Sequence, residues 1–202
     1  MQGGILVKIS RLFLSFILIL TFTFSSMKVN ASDFFSDVPP NSPYYEAVMR
    51  LKSLDIVSGK TDGTYGINDP VTRTMMVVFI NRLSGFRQEA EKYKSVPSVF
   101  KDVPQNYWAV GDINLASKLG FTSGVGNGLF DPNGNVTYVQ ALGFVLNVLG
   151  HKNLKWPEGV LEKAKGIGLT EGINLNPNDI IKRGDLALIL NKALDWQFVT
   201  YK

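Results

Sequence analysis

The segment DGTYGINDPVTRTMMVVFI (residues 62–80) joins a loop rich in Gly, Asn, Asp and Pro to an apolar run, and it occurs twice. Its second copy is NGLFDPNGNVTYVQALGFV (residues 127–145), 65 positions later. The same offset, without a gap, relates Phe35 to Phe100, Asp37 to Asp102, Gly59 to Gly124, Gly63 to Gly128, Tyr65 to Phe130, Asn68 to Asn133, Val71 to Val136, Thr72 to Thr137 and Gly85 to Gly150. An internal repeat therefore organises the chain, and one unit must bury its apolar face against its copies.

A third, degenerate copy follows. WPEGVLEKAKGIGLTEG from Trp156 aligns with WAVGDINLASKLGFTSG from Trp108, and LNPNDIIKR from Leu175 aligns with YGINDPVTR from Tyr65. This copy lacks the leading Phe-x-Asp-Val and has lost three loop residues before Leu175. We therefore expect three units, of which the last is damaged.

Each unit has apolar residues at helical spacing on both sides of the Gly-rich loop, which predicts six amphipathic helices and an all-α fold. Thr72 and Thr137 precede apolar runs and are predicted N-caps, with Gln140 completing a capping box. The EAEKY stretch between the first two units is predicted to form a helical turn or two. The predicted boundaries are a leader at 1–31, repeats at 32–85, 100–150 and 151–198, and a connecting segment at 86–99.

The N-terminus has the pattern of a secretory signal. Lys8 and Arg11 precede thirteen uncharged residues that end at Phe24, and Val29 and Ala31 are the small residues that a signal peptidase needs. We expect cleavage after Ala31. The remaining chain has 18 basic and 17 acidic residues, a net charge of +1, so composition gives no reason to expect nucleic-acid binding.

Other composition features narrow the classes of site. The chain has no cysteine, which excludes thiol catalysis and disulfide bonds and is common in exported proteins of Gram-positive bacteria. His151 is the only histidine. The DGTYGIND loop lacks the spacing and the terminal Glu of a calcium-binding EF-hand. No nucleophile and base are paired by spacing, so we expect neither an enzyme nor a cofactor or metal.

The segments FSDVP, GKTDGTYGINDPVTR and FKDVP with GVGNGLFDPNGNVT resemble the S-layer homology family over nearly all of the chain after the leader. The resemblance implies a pseudo-threefold, all-helical arrangement of three repeats. It also implies non-catalytic anchoring to an acidic secondary polysaccharide of the cell wall, often pyruvylated, through grooves between repeats. The implied partners are this peptidoglycan-linked polymer and, in addition, a surface protein, with no membrane contact once the leader is removed.

The resemblance also implies ligand-binding residues. In the family an arginine after the loop contacts the acidic sugar, and here Arg73 matches it, with Gly59, Lys60 and Asp37 expected around it. The second copy has Tyr138 at this position, and the third keeps Arg183. The full set of candidate glycan-binding residues is Arg73, Gly59, Lys60, Asp37, Trp108, Asp102, Gly124 and Arg183.

Several of these residues fit two roles. Asp37 and Asp102 fit either the scaffold or the groove. Trp108 and Trp156 fit either a sugar-stacking surface or an interior anchor for the helix that follows. Because Tyr138 replaces the arginine and the third repeat is eroded, a protein-interaction or structural module that has lost glycan binding is the alternative function.

Overall fold

The computed structural model describes residues 35–196 and residue 198, so the predicted leader and its cleavage site lie outside the described residues. The described residues contain seven α-helices and one 3₁₀ helix, and no helix among them is long and apolar enough to cross a membrane. The α-helices are α1 (Tyr45–Ser53), α2 (Arg73–Leu83), α3 (Arg87–Lys92), α4 (Val110–Lys118), α5 (Tyr138–Val148), α6 (Glu158–Gly166) and α7 (Arg183–Ala193). The predicted all-α class is confirmed.

Two helices belong to each repeat, and α3 forms in the connecting segment, followed by a 3₁₀ turn at Tyr93–Ser95. The helical turn predicted there is therefore confirmed. Asn114 of α4 holds this segment in place, because its amide donates to the carbonyls of Tyr93 and Val96 at 3.3 and 2.7 Å.

The predicted N-caps are also confirmed. The Thr72 hydroxyl accepts a hydrogen bond from the Met75 amide, and Thr137 and Gln140 form a reciprocal capping box. At the equivalent position of the third repeat, Lys182 makes no side-chain cap, although its backbone is extended like that of Thr137. The third repeat has kept the helix start but lost the cap.

Three backbone hydrogen bonds close the repeats into a ring. Val71 N donates to Ile181 O at 3.0 Å, Ile181 N to Val136 O at 3.0 Å, and Val136 N to Val71 O at 2.9 Å. All three side chains are fully buried. Each residue immediately precedes the N-cap of the second helix of its repeat, so the three second helices start from one point in the core.

A second set of bonds runs in one direction around this ring. The first amides of α2, α5 and α7 have no acceptor within their own helices. Arg73 N donates to Gly134 O, Tyr138 N to Asp179 O, and Arg183 N to Asp69 O, at 2.8–3.0 Å. The start of each second helix is thus bonded to the loop of the next repeat, with repeat 3 bonded back to repeat 1.

Helix packing follows the same order. The first helix of each repeat lies against the second helix of the repeat before it, so that α4 packs on α2, α6 on α5 and α1 on α7. The second helices also contact one another through α2 with α5 and α5 with α7. The apolar core is continuous through all three repeats. Neighbouring repeats therefore meet at seams that combine a helix start, a loop and two helices.

Candidate functional site

Arg73 crosses the seam between repeats 1 and 2. Its Nε donates to Phe130 O at 2.7 Å, and Nη2 lies 3.5 Å from the Thr122 hydroxyl. The guanidinium lies 5.0 Å from the centre of the Phe130 ring and 5.7 Å from that of Phe144. Arg73 is only 7% exposed, so it is not a solvated residue in the first turn of a helix.

The positive charge of Arg73 has no carboxylate within ion-pair distance among residues 35–196. Burial lowers its pKa, and the more distant Asp131 and Asp102 oppose that shift only in part. The charge also lies at the positive end of the α2 dipole. A buried cation with carbonyl and aromatic partners but no counter-ion is typical of a site that receives an anion.

An open cleft of about 170 Å³ lies beside the Arg73 guanidinium, and we call it the Arg73 cleft. Repeat 2 supplies its loop and one helix face, and repeat 3 supplies Trp156. Its lining includes Arg73, Ser123, Gly124, Gln140, Phe144 and Trp156. One cleft therefore draws on all three repeats.

The predicted grouping of Arg73 with the loop of its own repeat is wrong. Arg183 lies on that loop instead, since its Nε donates to Tyr65 O and its Nη2 to Ser58 O, both at 2.9 Å. Its guanidinium stands 4.4 Å from the centre of the Tyr65 ring. The first residues of α2, α5 and α7 are Arg73, Tyr138 and Arg183, and we call them the box residues. The physical reason is the direction of the ring, in which each box residue reaches the next repeat. Arg73 is thus paired with the Gly124 loop.

Asp37 and Asp102 accept hydrogen bonds from the backbone of the loops in their own repeats. Asp37 accepts hydrogen bonds from the amides of Tyr65, Gly66 and Ile67 at 2.6–3.0 Å. Asp102 accepts two, from Phe130 and Asp131. Burial raises the pKa of both carboxyls, but these backbone hydrogen bonds lower it more, so both pKa values fall below the ordinary one. These contacts support the scaffold interpretation.

Gly59 and Gly124 are required by close packing. A Cβ on Gly124 would lie 2.3 Å from Leu129 O and 2.6 Å from the Phe100 ring, and its φ is +76°. A Cβ on Gly59 would lie 2.2 Å from the Phe35 ring. In repeats 1 and 2 the leading Phe therefore packs against its own loop, and the backbone of that loop comes close to the box arginine of the neighbouring repeat, Arg183 or Arg73.

Lys60 is exposed and already paired. Its Nζ lies 2.9 Å from Asp69 Oδ2 and 3.9 Å from Asp62 Oδ2. The hydrogen bond to Asp69 is the main cause of its raised pKa. Lys60 therefore offers less net positive charge than its residue type suggests.

The interior-anchor interpretation is wrong for both tryptophans. Trp108 is 62% exposed and Trp156 is 55% exposed. Trp156 lines the Arg73 cleft, although it is not among the candidate glycan-binding residues that the family resemblance implies. Trp108 is not among the residues that line this cleft. Trp108 and Trp156 occupy equivalent positions in repeats 2 and 3, and both are exposed.

The seam between repeats 2 and 3 differs in its side chains. Tyr138 takes the place of Arg73 and is 4% exposed, and burial together with Asp185 raises its pKa. Glu171 and Lys192 occupy the positions of Ser123 and Asn147 in the preceding seam. They form an ion pair of 3.3 Å between the loop and α7.

The described residues contain no group of three or more His, Asp or Glu side chains that could hold a metal ion. Comparison with known proteins places the repeats in a family. Residues 34–73 and 99–142 match the S-layer homology domain. These two segments include both leading Phe-x-Asp-Val motifs, Arg73 and the loop of repeat 2 that Arg73 contacts.

Longer surface proteins match most of the chain. A cell surface protein of Thermoanaerobacter kivui is 54% identical over 88% of this chain and 24% of its own length. A middle cell wall protein of Brevibacillus brevis is 30% identical over 74% of this chain and 14% of its own length. A surface layer protein of Brevibacillus choshinensis is 28% identical over 79% of this chain. The chain spans a quarter or less of these relatives, and it belongs to the S-layer homology domain family.

Proposed function

We propose that this chain is a non-catalytic module of the bacterial cell surface that binds an acidic polysaccharide of the cell wall. The family match and the names of the surface-protein relatives support cell-wall anchoring. The observation that carries the choice of an acidic ligand is Arg73, a buried cation with no counter-ion beside an open cleft.

The hydrogen bonds of Arg73 to the described residues leave from Nε and Nη2. Nη1 and the remaining capacity of Nη2 are therefore available to a ligand. A planar guanidinium binds a carboxylate well, and charge-assisted hydrogen bonds are worth about 1.5–3 kcal/mol each. A pyruvate ketal supplies such a carboxylate on a sugar ring, while the exposed face of Trp156 offers an apolar surface to that ring.

Arg183 provides a second cation in the seam between repeats 3 and 1, where the carbonyl and ring of Tyr65 take the place of those of Phe130. Val78 stands there at the position of Gly143, so the two seams are not identical in shape. We assign the principal site to the Arg73 cleft and a second, weaker one to Arg183.

Retention of the purified protein on isolated cell-wall sacculi tests this proposal. Wild type should bind, Arg73→Ala should bind about ten- to hundredfold more weakly, and sacculi stripped of their secondary polymer should bind neither. Circular dichroism controls for the fold of the variant. Unchanged retention of a folded Arg73→Ala protein would instead favour the alternative, a protein-interaction module, which the replacement of the arginine by Tyr138 in repeat 2 supports.

A further inference from the structure

A second cavity adjoins the Arg73 cleft and is lined in part by the same residues. It has a volume of about 200 Å³, and we call it the His151 pocket after one of the residues that line it. The two cavities share Gly143, Asn147 and Trp156. A Cβ on Gly143 would lie 3.5 Å from Trp156 Cζ3, so the indole lies close against α5 there. The Trp156 ring is thus a wall common to both cavities.

The polar groups of the His151 pocket are not used by the fold that the structure describes. Asn147, His151 and Asn153 line the pocket, and their side chains make no hydrogen bond to residues 35–196. The backbone around them is fixed, since His151 N donates to Leu146 O at 2.9 Å. These three side chains are available to a ligand.

The chemistry of the pocket suits an uncharged sugar. Leu154 and Val160 add apolar surface to the lining of the pocket. Burial, and secondarily the charge of Lys163, lowers the pKa of His151, which favours the neutral imidazole at neutral pH. Amides and a neutral imidazole can exchange hydrogen bonds with hydroxyl and acetamido groups, while the apolar side chains contact the ring carbons.

Size supports a ligand that occupies both cavities. Small-molecule sites usually have volumes of about 300–1,000 Å³. The Arg73 cleft, at about 170 Å³, and the His151 pocket, at about 200 Å³, each fall short of that range. Together they fall within it.

We propose that the His151 pocket is a second saccharide subsite, which takes the neutral sugar next to the acidic sugar held in the Arg73 cleft, with Trp156 contacting both. This inference rests on the proposed function of the Arg73 cleft. It adds the statement that the module recognises at least two consecutive sugars.

Calorimetric titration with two synthetic probes tests the subsite. The first is the methyl glycoside of an N-acetylhexosamine that carries a pyruvate ketal, and the second adds one neutral N-acetylhexosamine at its reducing end. We expect wild type to bind the disaccharide about tenfold more tightly than the monosaccharide, as one or two extra hydrogen bonds allow.

The double variant His151→Ala/Asn153→Gly should lose that advantage to within about twofold and bind the monosaccharide like wild type. Glycine suits position 153, where φ is +59°. Asn153→Gly alone, at an exposed position, should give part of the loss. Gln88→Ala, at the equivalent position after repeat 1, is the matched control and should change neither affinity.

The outcomes separate the two proposals. If wild type binds both probes equally, or the double variant weakens both equally, the second subsite is overturned while the Arg73 cleft stands. If wild type binds neither probe, the subsite and the acidic-sugar function are both overturned. An unchanged monosaccharide affinity also shows that the variants are folded.

Discussion

The seam between repeats 1 and 2 and the seam between repeats 2 and 3 share the backbone hydrogen bond at the helix start but differ in their side chains. Arg73 N donates to Gly134 O at 2.9 Å, and Tyr138 N donates to Asp179 O at 2.8 Å. In the first seam an uncompensated cation borders an open cleft. In the second a tyrosine takes its place. The backbone bonds do not depend on the box side chain, so that side chain can change without loss of the ring.

The rest of the second seam has changed along with the tyrosine. The Gly143 position is taken by Leu188, and the ion pair of Glu171 with Lys192 joins the loop to α7. Asp185 adds another negative charge, and the Tyr44 hydroxyl donates to it at 3.2 Å. An acidic sugar would meet two carboxylates there and no arginine. The third repeat therefore contributes backbone hydrogen bonds that close the ring, and it supplies Trp156 to the Arg73 cleft.

The largest effect is expected when the first seam is given the side chain of the second. Arg73→Tyr should lower retention on cell-wall sacculi about ten- to hundredfold, because it removes the charge-assisted bonds to the ligand. The ring should still form, since a tyrosine already occupies this position in repeat 2. Tyr138→Phe is the matched control and should leave retention unchanged. Equal losses of retention in both variants would show that the two seams do not differ in ligand binding.

The loop scaffold should give the next largest effect. Asp37→Asn should lower the free energy of unfolding by about 2 kcal/mol, because the amide keeps one acceptor for three backbone donors. Asp102→Asn should cost about half as much, since it has two donors. Denaturant unfolding measures both. A larger loss for Asp102→Asn would contradict this order.

The same carboxylates predict a dependence on acid. The folded-state pKa of Asp37 and of Asp102 is below the ordinary value of 3.8. Their stabilising contribution is therefore complete above the unfolded-state pKa and is lost as the pH falls through the lower folded-state value. Unfolding measured between about pH 6 and about pH 2 should show a smaller acid loss in Asp37→Asn than in wild type. Parallel curves would exclude Asp37 as a contributor.

The helix cap that repeat 3 lacks can be restored by substitution, and the cap of repeat 2 can be removed. Lys182 has φ of −98° and ψ of 158°, close to the values of Thr137, and makes no cap. Lys182→Thr should raise the free energy of unfolding by about 0.5–1 kcal/mol, and Thr137→Ala should lower it by about 1 kcal/mol. Thermal unfolding measures both, and a destabilising Lys182→Thr would show that the third repeat has diverged in more than its side chain.

The smallest effect is expected at Lys60. Its ammonium is exposed and paired with Asp69 and Asp62, so Lys60→Ala should change retention on sacculi by less than about twofold. A loss of retention comparable to that of Arg73→Tyr would instead support Lys60 as one of the glycan-binding residues that the family resemblance implies.

The sequence was sufficient for the repeats and their helices because those depend on local patterns. The caps at Thr72 and Thr137 follow from a residue and its neighbours three positions away. The contact of Arg73 with Phe130 spans 57 positions. A repeat tells which residues are equivalent, but it does not tell which copy lies next to which. For that reason the partners of Arg73 and the exposure of Trp156 required the structure.

The most direct test of the Arg73 cleft is an NMR titration of the ¹⁵N-labelled protein with the pyruvate-ketal N-acetylhexosamine glycoside. We expect shifts of the Ser123 and Gly124 amides that are saturable in wild type and absent in Arg73→Tyr. The amides of Glu171 and Gly172, in the loop of repeat 3, should not shift. Shifts centred on Glu171 and Gly172, or shifts at Gly124 that survive in Arg73→Tyr, would contradict binding of the acidic sugar by Arg73.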